Sequence, residues 1–169
     1  DALDYHPNPY AKNLRAKTNQ EIAVILPNVY DQYYSFILAG IEKELRQYGF
    51  YLNIGLTDDV PETEMEILET LIKKCPRGLI VVSCLGDRTV YEKIASFPTV
   101  FIDRSVTVSE VNFITSNIEE TLTFLLSQLY IKKTRDVALI TGPDYLTNEK
   151  VSTKAYLDFF RQKNRKEDS

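Results

Sequence analysis

Ile22-Ala23-Val24-Ile25-Leu26, closed by Pro27-Asn28, is the stretch that decides the fold. A continuous apolar run of this length, ended by a turn pair, is the pattern of a strand buried on both faces, as in a parallel sheet. Downstream, Phe36, Ile37, Gly40, Ile41, Leu45 and Tyr48 recur at helical spacing and stop at Gly49. Tyr51–Leu56 reads as a second strand. A helix opened by Pro61 follows, with Met65, Leu68, Leu71 and Ile72 expected toward the core. Gly78–Ser83 is a third buried strand, Asp87–Ala95 a short helix, Val100–Ile102 a fourth strand and Asn112–Thr115 a brief fifth. Ile118, Leu122, Leu125, Leu126 and Leu129 form the stripe of a further helix. Val137–Thr141 is expected as a sixth strand and Asn148–Gln162 as a last helix.

Strand and helix in alternation give an α/β fold with a doubly wound, mostly parallel sheet built by right-handed crossovers. Ligands in such sheets bind at the carboxyl ends of the strands. Here those ends are the loops Asn28–Tyr34, Thr57–Val60, Ser83–Asp87, Asp103–Val106 and Gly142–Thr147. None carries a G-x-G-x-x-G or G-K-[ST] pattern, so a dinucleotide or P-loop nucleotide is not the expected ligand.

The 169 residues, 44% hydrophobic with a net charge of -4, describe an ordinary globular chain. No apolar run approaches the roughly 20 residues that cross a bilayer, which favours the cytoplasm with no membrane partner. Cys75, closing a helix, and Cys84, ending a strand, read as two buried or half-buried free thiols. With one distant histidine, His6, they make no metal site. No Ser or Cys has a histidine at hand, Asp58-Asp59 falls in a strand-end loop and Glu119-Glu120 at a helix N-terminus. Neither catalysis nor a cofactor is therefore expected.

The segment before the first strand is different in kind. Asn8-Pro9 is a helix-start signal, and a helix Pro9–Lys17 places Tyr10, Leu14 and Lys17 roughly on one face. Lys12, Arg15 and Lys17 make the stretch basic, with no anion among them. So short a helix is unstable alone in water and needs a partner surface.

Tyr5, Pro7, Asn8, Ala11 and Leu14, a few polar residues, then the strand Ile22–Leu26, together resemble the linker and first sensor strand of the LacI/GalR family of bacterial transcription regulators. Tyr33-Tyr34, Gly40-Ile41-Glu42, Gly49-Phe50, Gly78–Ser83, Phe101-Ile102-Asp103-Arg104 and Leu139-Ile140-Thr141-Gly142 fall where that family has corresponding features. The resemblance implies a periplasmic-binding-protein-like sensor of type I. It divides the chain into a linker and hinge helix (1–19), a first lobe (20–133) and the beginning of a second, incomplete lobe (134–169). The chain thus reads as a fragment whose helix-turn-helix precedes Asp1.

The resemblance also implies roles. Residues 8–17 are the hinge helix that orders on operator DNA, with Asn8, Ala11, Leu14 and Arg15 at the minor groove and Leu14 as the wedge that unstacks a base step. Tyr33 and Tyr34 stack on an effector, and Asp103 takes a hydroxyl hydrogen bond. The implied protein is a homodimeric repressor tuned by a small molecule such as a sugar or related metabolite. Against the family pattern stand Ser116-Asn117, Lys133-Thr134, and Ser152 at the place of an arginine, with Lys154 the nearest cation. Two other readings share the sensor fold: a solute-binding protein of the transport type, and a sensor answering to a protein partner.

Overall fold

The computed structural model describes residues 19–85, 89–92, 94–104, 106, 112–134, 136–144 and 146–167. They fall into two compact units. One runs to Phe101 and takes in Val106 and Asn112; the other holds Ile102–Arg104 and the described residues from Phe113 onward.

The first unit is built around β1 (Glu21–Leu26), which pairs in parallel with β2 (Tyr51–Leu56) on one edge and β3 (Gly78–Val81) on the other. Ala23, Val24, Ile25 and Leu26 have no exposed surface, as the unbroken apolar run requires. β4 (Thr99–Ile102) lies parallel to β3, and with β5 (Asn112–Ile114) the strand order is β2-β1-β3-β4-β5. β3 ends at Val81, two residues short of the expected Ser83. Val82 still donates its N–H to Ile25 O at 2.9 Å as the chain leaves the sheet.

Helix α1 (Gln32–Gln47) starts where Asp31 caps it, the Oδ1 accepting from Tyr33 N–H at 2.8 Å. It ends at Gly49, whose φ of +75° lets the N–H groups of Gly49 and Phe50 reach back to the carbonyls of Arg46 and Leu45, both at 3.1 Å. Helix α2 (Pro61–Lys73) opens on its proline, as read from the sequence. Its buried face is Glu64, Leu68 and Leu71, an i, i+4, i+7 stripe. Met65, expected toward the core, is instead exposed, because the stripe begins one residue earlier on a carboxylate. Helix α3 (Thr89–Glu92) falls within the expected Asp87–Ala95, of which Asp87, Arg88 and Lys93 lie outside the described residues. Ile94 and Ala95 follow it as turns bonded to Tyr91 O and Glu92 O.

Leu68, Leu71, Leu79, Val81, Tyr91 and Phe101 interlock with Ala23 and Ile25 to make the core of this unit. The tightest approach is at Gly55 of β2, where a Cβ would overlap the Cγ2 of Ile67 on α2. Asn19 ties the unit's start to the end of α2, its Nδ2 donating to the carbonyls of Lys74 (3.0 Å) and Cys75 (2.7 Å).

In the second unit α4 (Ile118–Ile131) packs on α5 (Thr147–Glu167). The Tyr130 and Phe159 rings meet edge-on at 6.1 Å, and Lys163 Nζ lies 5.1 Å from the Tyr130 ring centre. Leu126, Ala155 and Phe159 are buried there. The expected strand Val137–Thr141 is absent. A strand exists through its ladder, and no described residue pairs with this segment, whose Ile140 is 95% exposed.

Gly55→Ala is predicted to lower unfolding free energy by about 1 to 3 kcal/mol, because Ile67 is β-branched and must shift as a whole. Urea denaturation read by circular dichroism checks it.

Candidate functional site

A strand order of 2-1-3-4-5 reverses between β1 and β3, and ligands in such sheets occupy the crevice outside the carboxyl ends of those two strands. In the first unit the candidate positions are therefore the loop after β1 and the segment after β3.

The β1 loop is braced by its own side chains. Asn28 Oδ1 accepts from Asp31 N–H at 2.9 Å, and Asp31 in turn caps α1. This sets Tyr33 and Tyr34 on the first turn of α1, their rings edge to face at 5.1 Å and 72°. Tyr34 is buried, whereas Tyr33 is 46% exposed. Tyr33 thus offers a ring face at the strand end, and Tyr34 backs it.

The loop after β2 turns sharply, with Asp58 and Asp59 both left-handed at φ of 50° and 59°. Asp58 N–H donates to Pro27 O at 2.7 Å, which holds this loop beside the β1 loop.

After β3 the chain stays buried from Val82 through Leu85, and a carboxylate from α2 holds it. Glu64 has no exposed surface. Its Oε2 accepts from Cys84 N–H at 2.7 Å and its Oε1 from the Tyr91 hydroxyl. Tyr91 also bonds Ser83 Oγ, which accepts from Leu85 N–H at 2.9 Å. Burial foremost, then the hydrogen bond and charge of Glu64, pushes the Cys84 thiol up to about 12. Burial, then the charge of Glu64, raises the Tyr91 hydroxyl well above its ordinary value. Cys75 departs from the expected burial: it is exposed, in a left-handed turn (φ 51°) after α2.

The second unit contributes Asp103, buried at 9% exposure and left-handed at φ 67°. Its N–H donates to Ile114 O at 2.8 Å, and its Oδ1 accepts from Asn148 Nδ2 at 2.6 Å. Asn148 sits in the first turn of α5, where Glu149 Oε2 also accepts from Gly142 N–H at 3.0 Å. An open groove of about 290 Å³ in this unit is lined by Asn117, Leu122, Leu125, Leu139, Glu149 and Ser152 among others.

Tyr33 and Tyr34 belong to the first unit and Asp103 to the second. Asn8, Ala11, Leu14 and Arg15 lie outside the described residues. Reading the sequence singled out neither Glu64, Ser83, Tyr91 nor Asn148 as functional. The one available signal was that Glu64 shares the i, i+4, i+7 stripe of Leu68 and Leu71. Among the described residues no group of three or more His, Cys, Asp or Glu could hold a metal ion, and no helix is long and apolar enough to cross a membrane.

No family model matches the chain. Among characterised proteins it is 32% identical over 106 residues to the catabolite repressor/activator of Salmonella typhimurium, a match spanning 61% of this chain and 32% of that protein. The fold is that of the Cra transcriptional dual regulator of Pseudomonas putida, solved with fructose 1-phosphate (TM-score 0.80, 22% identity, 85% of this chain and 54% of that one). It is also that of the lac repressor dimer bound to operator and the anti-inducer ONPF (TM-score 0.82, 21% identity, 96% of this chain and 50% of that one). The chain spans about a third of the first relative and about half of each solved one.

The raised thiol fixes a pH dependence. An acid whose folded pKa is raised keeps its proton in the native state while the unfolded chain sheds it, so the stabilisation present below the unfolded pKa is lost above it. Stability is predicted to fall as pH climbs from about 9 toward about 12, and Cys84→Ala to flatten that limb. Urea midpoints measured between pH 7 and 10.5 test it.

Proposed function

We propose that the chain is a member of the LacI/GalR family and carries the hinge and part of the sensor of a DNA-binding transcription regulator of the repressor type. Its ligand is a small effector, a sugar or related metabolite, and effector binding tunes operator binding. The observation that carries this reading is the half-exposed Tyr33 ring, in edge contact with a buried Tyr34, at the carboxyl end of a strand where the sheet order reverses. An exposed aromatic face at a strand end suits the apolar face of a sugar ring. Asp103, held by Asn148, supplies the carboxylate that a hydroxyl would bond. The effector contacts proposed are Tyr33 and Tyr34 of the first unit and, by family likeness, Asp103 of the second. A relative of the same fold holds fructose 1-phosphate.

Residues 1–19 are assigned to the linker and hinge helix, 20–133 to the first lobe and 134–169 to the beginning of the second. These are borders in chain order; packing groups α4 with α5. The hinge meets operator DNA through Asn8, Ala11, Leu14 and Arg15. A short basic helix with one apolar wedge offsets its ordering entropy only when DNA supplies the partner surface. The protein acts as a cytoplasmic homodimer and not as an enzyme, with neither cofactor nor membrane partner. That the related proteins are transcription regulators supports the non-enzymatic reading.

Leu14→Ala in the full-length protein is predicted to weaken operator binding by about tenfold or more and to reduce DNA bending, since the wedge supplies on the order of 1.4 kcal/mol or more. Gel-shift titration with a bending assay measures both. Unchanged affinity and bending would remove the hinge assignment.

A further inference from the structure

The carboxylate of Glu64 is out of place by the ordinary rules of burial. It has no exposed surface, sits on the apolar stripe of α2, and forms no ion pair with a Lys or Arg among the described residues. A leucine there would hold α2 on the sheet without the cost of desolvating a charge. What a leucine cannot do is accept hydrogen bonds. Glu64 spends both oxygens on one target, directly through Cys84 N–H at 2.7 Å and indirectly through Tyr91, whose hydroxyl also bonds Ser83 Oγ. Ser83 then takes Leu85 N–H at 2.9 Å. Tyr91 is itself fixed, its ring edge-on to Phe101 at 5.0 Å and 85°.

The target is a particular piece of backbone. Ser83–Leu85 follows β3, and β3 is one of the two strands between which the sheet order reverses; β1, whose loop carries Tyr33, is the other. A chain leaving a parallel sheet loses its ladder partners, so its N–H groups need acceptors from elsewhere. Glu64 and Ser83 provide them from inside the fold, which leaves the segment with one conformation at the mouth of the crevice.

We propose that Glu64 is a positioning residue for effector binding, fixing Ser83–Leu85 as a wall of the crevice that the effector meets. This rests on the sensor reading above and adds to it the device that shapes one side of the site.

Cys84 supplies the reporter, because its thiol lies in the wall while Cys75 is exposed. The experiment uses the full-length protein with Cys75→Ser, labelled by an aromatic disulfide reagent at pH 8 and read at the Cys84 peptide by mass spectrometry. Calorimetry against D-glucose, D-ribose, D-fructose and fructose 1-phosphate selects the sugar that binds the parent most tightly. Glu64→Gln keeps the volume but turns one acceptor into a donor. It is expected to weaken that sugar by about tenfold or more and to speed Cys84 labelling by a similar factor. The sugar is expected to slow labelling in the parent but not in the variant. Phe159→Ala, a core change in the second unit, separates stability from position: it is expected to lower the melting temperature and leave sugar affinity within about twofold.

Faster labelling with unchanged sugar affinity would show that the segment is no part of the crevice, and unchanged labelling that Glu64 does not hold it. Either overturns the proposal while the sensor reading stands. A parent that binds none of the four sugars overturns the sugar reading and the proposal with it. If Glu64→Gln does not fold, Tyr91→Phe keeps the ring contact with Phe101, deletes the hydroxyl, and is held to the same two outcomes.

Discussion

A strand bonded along both edges and apolar on both faces must lie in the middle of a sheet, and Glu21–Leu26 lies there. Its parallel pairing with β2 and β3 sets the order β2-β1-β3-β4-β5. Parallel neighbours cannot be joined by tight turns, so each connection must carry a crossover segment, here α1 and α2. β1, β2, β3 and β4 then end on the same side, and the order reverses once. The crevice is a consequence of that reversal more than of any one side chain.

Burial at the strand ends raises a second requirement. Backbone groups that have left the ladder still need partners. At the β1 loop Asn28 and Asp31 supply them locally, and the result is a helix start that projects Tyr33. At the β3 segment Ser83 serves Leu85 N–H locally, and Glu64 is drawn from α2 to serve Cys84 N–H. Burial foremost, and the same carboxylate with it, raises the Cys84 thiol and the Tyr91 hydroxyl above their ordinary values.

The apolar periodicity of the sequence was enough for the fold class, because β1 and the stripes of α1 and α2 are local patterns. The Gly49 stop was legible for the same reason, its left-handed turn being a property of one residue. What escaped depended on distant partners. Met65 and Glu64 are adjacent, and only the packing of α2 decides which one turns inward. Val137–Thr141 has a strand's composition but no ladder partner among the described residues, so it forms no strand there. Cys75 reads as an interior residue and lies in an exposed turn. Of the proposed site, Tyr33, Tyr34 and Asp103 are suggested by family likeness. Asn148 is not, since its bond to Asp103 spans 45 positions of sequence.

In the proposed regulator the sensor is the input and operator binding the output, two sites joined by a coupling free energy. The most direct test is the operator dissociation constant of the full-length protein, measured at fixed salt with and without each of a panel of sugars and sugar phosphates. The account predicts that at least one compound shifts that constant by roughly 5-fold to 150-fold, and that operator DNA shifts the compound's own affinity by the same factor. An operator affinity that no compound changes, in a protein that binds one of them, would contradict it.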